Sequence, residues 1–380
     1  MSEIIIPGSV IKQELERRGW EQRDLAFILG RQPSEVSGLV AGTKPINPEL
    51  AQELATALGN TAEYWLALEA SYRLTKVEHD KAGVTKRLRL YESYPIKDMI
   101  KRGWIEPTAD ADLLESRIRS FLGLGSDGET PQLHFAARKS GFDAELTPAQ
   151  EAWLVRVRQM AQFVPPLVKF TDRRCNEALE KLRLLMKDAE EVRHVPRVLA
   201  ESGIRFVLVE ALPSTRIDGV CTWLDRNSPV VGISQRLDRI DGFWHTLLHE
   251  MHHVKHHEGQ ENPILDLNLV GEDARHMGDK SRMEKLADEF AANFSVTKSD
   301  LDDFINRVKP LYSKQRIRAF ADLKEVHAGI VVGQLQHRGE IPYSHNRDML
   351  VKVRHLISDS AMTDGWGYKP SLAQSARLTA

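Results

Sequence analysis

The chain is poor in cysteine, in net charge and in long apolar runs, and each shortage removes a class of protein. Cys175 and Cys221 are its two cysteines, too few for a disulfide framework or for a zinc cluster built on thiolates. Its 52 Lys and Arg nearly balance 54 Asp and Glu, leaving a formal net charge of -2. No global basic field draws such a chain to nucleic acid or to a membrane, so any DNA contact has to come from a local patch. No stretch approaches the roughly 18 apolar residues of a membrane span. The opening MSEIIIPGSV has no basic segment ahead of a long apolar one and does not read as a secretion signal. These shortages point to a cytoplasmic chain without a membrane partner. What is present is ordinary: 380 residues, 42% hydrophobic and 28% charged, enough for two or three domains with cores of their own.

Residues 1–75 read as a compact all-α domain. Ile11 and Leu15 mark a first helix that closes at Arg18 and Gly19, and Gln22 to Leu29 form a second, ended by Gly30. Ser34 is placed to cap a third helix running through Leu39 and Val40 to Gly42. Asn47 to Leu58, with Pro48 in its first turn, and Thr61 to Tyr72 supply two more. Short helices joined by a tight turn are the helix-turn-helix pattern, whose second helix faces the DNA major groove. On that helix Gln32, Ser34 and Ser37 are the candidate base-reading groups, and the flanking Arg31 and Lys44 are candidate phosphate contacts. Against this stand only seven Lys or Arg to ten Asp or Glu in residues 1–75, and phosphate affinity comes mostly from cations. The competing reading is a helical module kept for dimerisation or partner binding.

Residues 76–195 are charged and helical, with breaks at Ser93 to Pro95, at Gly103 and in the loop Gly123 to Pro131, and read as a helical linking region. Residues 196–380 begin with short β-branched runs at 204–210 and 229–233, with 219–223 a third candidate strand. Helical patterns follow at Gly242 to His257 and Lys280 to Phe294. The expected fold class is mainly α, with an α+β part made by these strands and helices.

The chemistry concentrates in HTLLHEMHHVKHH, His245 to His257. Several histidines here are four apart, but only His249 and His253 form a pair whose first member is followed directly by Glu. Residues four apart stack one turn above each other with Cβ atoms about 5–6 Å apart, so two imidazoles can converge on one zinc ion. Glu250, about 100° around the helix, sits near the metal without binding it and can move a proton as general base and acid. On the helical wheel Trp244, Leu247, Leu248, Met251 and Val254 fall on the opposite, apolar face. A catalytic zinc needs a third protein ligand and an open position. Glu284, on a helix about 31 residues beyond His253, is assigned to the metal. Asp288, one turn further on, is placed to hold the outer N–H of a zinc-bound imidazole. Leu286, Phe290, Ala291 and Phe294 are expected to pack that helix. His245, His252, His256 and His257 read as solvated neighbours, and a histidine-rich helix without metal is the bland alternative.

The runs LAESGIRFVLVEALP, PVVGIS, HTLLHEMHHVKHH and EKLADEFAANF resemble the ImmA/IrrE family of metallo-endopeptidases. The resemblance implies a C-terminal zincin-like metallopeptidase domain over 196–380 with a C-terminal extension, Zn2+ as cofactor, His249, His253 and Glu284 as ligands and Glu250 as base. His252 stands where that family usually has Gly, and Asn293 to Val296 replaces its usual Leu-x-x-Pro end. Residues 7–68 resemble the HigA-like antitoxin branch of Cro/repressor (XRE) helix-turn-helix domains, with Gln22, Leu25 and Ala26 matching the second helix and Ser34 to Leu39 the recognition helix. The ending Ala328 to Arg347 resembles the tail of fusions between these two modules. The function so implied is a zinc endopeptidase that cleaves a repressor- or antitoxin-like protein and is targeted or regulated by its own helix-turn-helix. The alternative is a DNA-binding transcriptional regulator or antitoxin in which zinc is structural or sensory. Operator DNA and a second copy, joined through the N-terminal domain, are the other candidate partners.

Overall fold

The computed structural model describes residues 5–76, 81–124, 138–139, 146–272, 274 and 280–370; most of the expected loop from 123 to 131 lies outside them. The chain divides into two compact units, 1–84 and 85–380. Among the described residues no helix is long and apolar enough to cross a membrane.

The first unit contains α1 (Pro7–Arg18), α2 (Gln22–Ile28), α3 (Pro33–Val40), α4 (Pro48–Leu58) and α5 (Ala62–Lys76). Gly19 ends α1 with φ 66°, a left-handed conformation that glycine adopts without a Cβ clash. Asn47 caps α4 by accepting the Leu50 amide at 2.8 Å, and Pro48 starts the helix with its φ already set. Ser34 is not the cap of α3. Gln32 takes that position, its amide donating to Glu35 Oε2 at 3.2 Å, because Pro33 is best suited to the first helical residue and moves the start two residues earlier. Ile11, Leu25, Val36, Leu54 and Trp65 close the core of this unit.

The chain crosses from one unit to the next in α6 (Lys81–Ser93). The second unit then has α7 (Ile96–Lys101), α8 (Ala111–Leu122), α9 (Pro148–Gln162), α10 (Asp172–Leu185), α11 (Val195–Ala200), α12 (Ile240–Lys255), α13 (Arg282–Ser295), α14 (Lys298–Val308), α15 (Lys314–Leu323), α16 (Ala328–His337) and α17 (Arg354–Ser358). Its strands are β1 (Arg138–Lys139), β2 (Arg205–Val209), β3 (Ile217–Trp223), β4 (Pro229–Ile233), β5 (Ile264–Leu267) and β6 (Met362–Asp364), in the order β1-β5-β3-β4-β2-β6. The sheet is mixed: β3 runs antiparallel to β4 and β5, and the other neighbours are parallel.

Successive strand residues point to opposite faces, and both faces are covered. Phe206, Leu208, Cys221, Val231 and Ile233 pack with α10 to α12 in one core. Val207, Val209, Val220, Val230 and Leu265 pack with α7 to α9 in another. This two-sided burial explains why the strands read as continuous apolar runs. It also changes the standing of the helices between residues 85 and 195, which belong to the same unit as the sheet and not to a separate linking region. Trp153 of α9, fully buried, donates from Nε1 to the Val209 carbonyl at 2.9 Å and pins that layer to β2. The molecule is thus mainly helical, with a small mixed sheet in its second unit.

Candidate metal centre and helix-turn-helix surface

The apolar face of α12 holds the centre in place. Trp244, Leu247, Leu248, Met251 and Val254 are completely buried and pack in the core shared with β3 and β4. Burial of such side chains contributes about 1.5–3 kcal/mol each, so the helix cannot rotate about its axis without losing most of that. The opposite face is thereby aimed at α13 and β5. There the structure brings together His249, His253, Asp266 and Glu284, all fully buried, with one donor atom from each lying within 4.8 Å of the others.

Their separations suit a small ion. His249 Nε2 lies 3.2 Å from Glu284 Oε2 and 3.5 Å from Asp266 Oδ2. His253 Nε2 lies 3.8 Å from Asp266 Oδ2 and 3.9 Å from Glu284 Oε1. A tetrahedral zinc with arms of about 2.0–2.1 Å has edges of about 3.3 Å. Both Asp266 oxygens, Glu284 Oε1 and His253 Nε2 find no hydrogen-bond partner among the described residues, although buried polar atoms are almost always paired. The donor set and its unmet bonding fit zinc.

Each imidazole is also held from behind. Asp288 Oδ1 lies 3.0 Å from His249 Nδ1, and Lys280 Nζ sits 2.6 Å from the other Asp288 oxygen. Glu258 Oε2 lies 2.6 Å from His253 Nδ1. At His253 the Glu258 carboxylate fixes the proton on Nδ1 and leaves Nε2 to bind a metal; at His249 the Asp288 carboxylate supplies charge at 3.0 Å without a formed hydrogen bond. Asp288 stands where the spacing placed it. Glu258 was missed, although its position five residues after His253, just beyond the helix end, is a signal that could have found it. Asp266 was missed as well, and its only signal is a lone acid inside the apolar run ILDL.

Glu284 is delivered by the first turn of α13, where the Ser281 hydroxyl accepts its amide at 3.3 Å. Ala287 and Ala291 are the buried packing residues of this helix, and Phe290 and Phe294 are partly buried against the core. Leu286 is not a packing residue: it is 46% exposed, because the inward positions on that face go to residues 284, 287 and 291.

Glu250 lies against β3 with both carboxylate oxygens buried and unpartnered among the described residues. A Cβ built on Gly219 would come within 2.1 Å of Glu250 Oε1, so only glycine leaves room for the carboxylate. Burial, and then the negative charge of Asp266, pushes the Glu250 carboxyl well above its usual range. Burial followed by the same charge raises Glu284 to about 7. For His249 burial works the other way, but Asp266, Asp288 and Glu284 overcome it and raise its pKa.

The remaining histidines differ among themselves. His256 is exposed and His245 half-buried. His257 stacks on Trp223 and bonds to Asp172 Oδ1 at 2.7 Å. His252 is buried rather than solvated, with its ring 4.4 Å from that of His256 and 5.4 Å from that of Phe290. Burial, then His256, lowers its pKa to about 4, so it remains neutral.

In the first unit Gln32, Ser34 and Ser37 are exposed at and along α3. The two cations expected to grip phosphate are engaged elsewhere. Arg31 makes a bidentate pair with Glu53, Nε to Oε2 at 2.7 Å and Nη2 to Oε1 at 2.9 Å. Lys44 pairs with Glu35.

Comparison with known proteins bears on this unit. The family model described as Helix-turn-helix (HTH_3) matches residues 11–65. The chain is 29% identical over 72 residues to the uncharacterized HTH-type transcriptional regulator YddM of Escherichia coli (strain K12), which is 19% of this chain and 77% of that protein. It is 30% identical over 81 residues to virulence-associated protein I of Dichelobacter nodosus, 21% of this chain and 75% of the relative. A third relative, virulence-associated protein A' of the same organism, is 33% identical over 72 residues, 19% of this chain and 63% of that protein. With its five short helices and buried Leu25, Ala26 and Val36 in place, the chain belongs, through its N-terminal unit, to the helix-turn-helix family.

Proposed function

We propose that the chain is a DNA-binding regulator of the antitoxin type whose second unit binds one zinc ion through His249, His253 and Glu284. The helix-turn-helix match, the HTH-type regulator among the relatives and the exposed Gln32, Ser34 and Ser37 support the DNA-binding half. Operator DNA is the partner, read by two α3 helices of a homodimer formed through the first unit. The zinc half rests on one observation: buried imidazole and carboxylate donors converge, and both Asp266 oxygens, Glu284 Oε1 and His253 Nε2 find no hydrogen-bond partner among the described residues. Metal analysis of the purified chain tests it, with about one zinc per chain expected and loss in His249→Ala, His253→Ala and Glu284→Ala. Retardation of DNA from upstream of its own coding sequence tests the first half; no retardation at low salt returns the unit to a dimerisation module.

A second reading, a zinc endopeptidase with a zincin-like fold acting on a repressor- or antitoxin-like protein, is favoured by Glu250. A site that only stores metal needs no carboxylic acid beside it. Zinc would supply a Lewis acid at this position. Glu250 would accept a proton from the attacking water at a carboxylate oxygen and return it to the leaving amine. A cavity of about 140 Å³ is lined in part by His245, Lys280, Asp288 and Tyr343, and it reaches the centre through Asp288, not through the donors or Glu250. Glu250→Gln keeps the shape, so zinc is expected to remain while cleavage of co-expressed candidate proteins falls by orders of magnitude. Equal cleavage by the variant removes this mechanism.

A further inference from the structure

A zinc site that performs hydrolysis has three protein ligands and one open position, whereas a structural site is closed by a fourth protein ligand. His249, His253 and Glu284 account for three. The fourth corner is where the structure puts Asp266, with Oδ2 3.5 Å from His249 Nε2 and 3.8 Å from His253 Nε2. The carboxylate is fully buried, and both its oxygens lack a hydrogen-bond partner among the described residues. A buried carboxylate in such a setting is strongly unfavourable unless a cation or several donors meet it.

The backbone shows how it arrives. β5 adds to β3 antiparallel, and Asp266 is the residue opposite Gly219. Gly219 is also the residue against which the Glu250 carboxylate lies. Asp266 therefore reaches the donors in front of Glu250, where a water or a peptide carbonyl would have to sit. Extended peptides are commonly bound by adding a strand to a sheet edge. Next to β3 that place is taken by β5, which among the described residues has the two-residue β1 on its other side.

We propose that Asp266 is a fourth metal ligand that seals the site, and that β5 is an internal strand held over β3 by that bond. The proposal rests on the zinc reading above. In the sealed state the unit binds metal tightly and does not hydrolyse; Glu250 acts only when β5 leaves.

The test uses the full chain loaded with Co2+, whose visible absorption reports coordination number, and acetohydroxamate, a small chelating ligand that needs open positions. The wild type is expected to give a four-coordinate spectrum that acetohydroxamate does not move. Asp266→Ala is expected to give an altered spectrum that acetohydroxamate shifts further, with metal affinity at least about 10–100-fold lower, since even partners behind the ligands are worth that much. Asp266→Asn keeps the shape and serves if the alanine variant fails to fold, and the wild-type arm needs no variant. Amide exchange at residues 264–267 is expected to quicken when EDTA removes the metal. A wild-type spectrum that already responds to acetohydroxamate overturns the proposal, as does an Asp266 variant with unchanged spectrum and affinity, or exchange indifferent to EDTA. If the wild type takes up no metal, or if His249→Ala and Glu284→Ala take it up unimpaired, the zinc reading falls and the proposal with it.

Discussion

Replacing Glu35 and Glu53 together by glutamine is expected to tighten DNA binding by the first unit. Arg31 and Lys44 flank the exposed face of α3, but Glu53 and Glu35 occupy them, so phosphates must compete for both cations. The double variant changes the balance in residues 1–75 from seven cations against ten anions to seven against eight. Each additional neutralised phosphate steepens the log–log salt dependence by about 0.9, and at about 0.1 M salt is worth up to about 0.9 log unit in affinity. Two freed cations per protomer thus give a slope steeper by about 2 and a gain bounded at about 60-fold per protomer. Folding should hardly suffer, because partly exposed ion pairs are worth about 0.2–1 kcal/mol each. Glu35→Gln also keeps a side-chain oxygen that can accept the Gln32 amide in the capping role. Fluorescence anisotropy of a labelled upstream duplex, titrated between about 50 and 200 mM salt, measures both quantities. Unchanged slope and unchanged affinity would show that these cations do not face DNA, and the surface assigned to α3 would be wrong.

Three further outcomes follow from the second unit. Asp288→Asn should keep one zinc at saturation but weaken binding about 10–100-fold, whereas Glu284→Ala should lose the ion; competition with a coloured chelator separates the two. Gly219→Ala should drive the Glu250 carboxylate out of its slot, since the new Cβ would lie 2.1 Å from Oε1; zinc content should persist while stability to guanidinium drops by about 1–3 kcal/mol. Zinc affinity should fall as pH drops from 8 to 6. Without metal, burial and the charge of Asp266 raise the Glu284 carboxyl and its neighbours raise His249, so as pH falls these ligands hold protons that the ion must displace. Calorimetry in buffers of different ionisation enthalpy should therefore register more protons released at pH 6 than at pH 8.

The helices of the first unit are legible because each is punctuated locally, by Gly19, by the Asn47–Pro48 cap and by apolar residues at helical spacing. The start of α3 slips by two residues because Ser34 and Gln32 both offer a cap, and only the preference of Pro33 for the first helical turn decides between them. The pair His249 and His253 is legible for the same reason: its geometry is that of one helical turn. Strands β2, β3 and β4 agree closely with their apolar runs. Asp266 is different in kind. Its place is set by the pairing of β5 with β3, a register between segments more than 40 residues apart, and the lone acid within Ile264–Leu267 does not say what it faces. The helices from 85 to 195 look like a charged linker for a related reason. Their buried faces are legible only beside the sheet layer that covers them.

The inward donors sit on three elements, α12, β5 and α13, with 13 residues from His253 to Asp266 and 18 from there to Glu284. One ion held by all of them would close both loops at once, in a chain whose two cysteines are free and buried. It would act as a staple, restricting the unfolded chain as a cross-link does. Each tenfold excess of free zinc over its dissociation constant would then add about 1.4 kcal/mol to the stability of the second unit. The first unit, which closes a core of its own, would gain nothing. Heating the chain with and without a chelator should move one melting transition and leave the other where it was, so that zinc supply is read out as the survival of one half of the molecule.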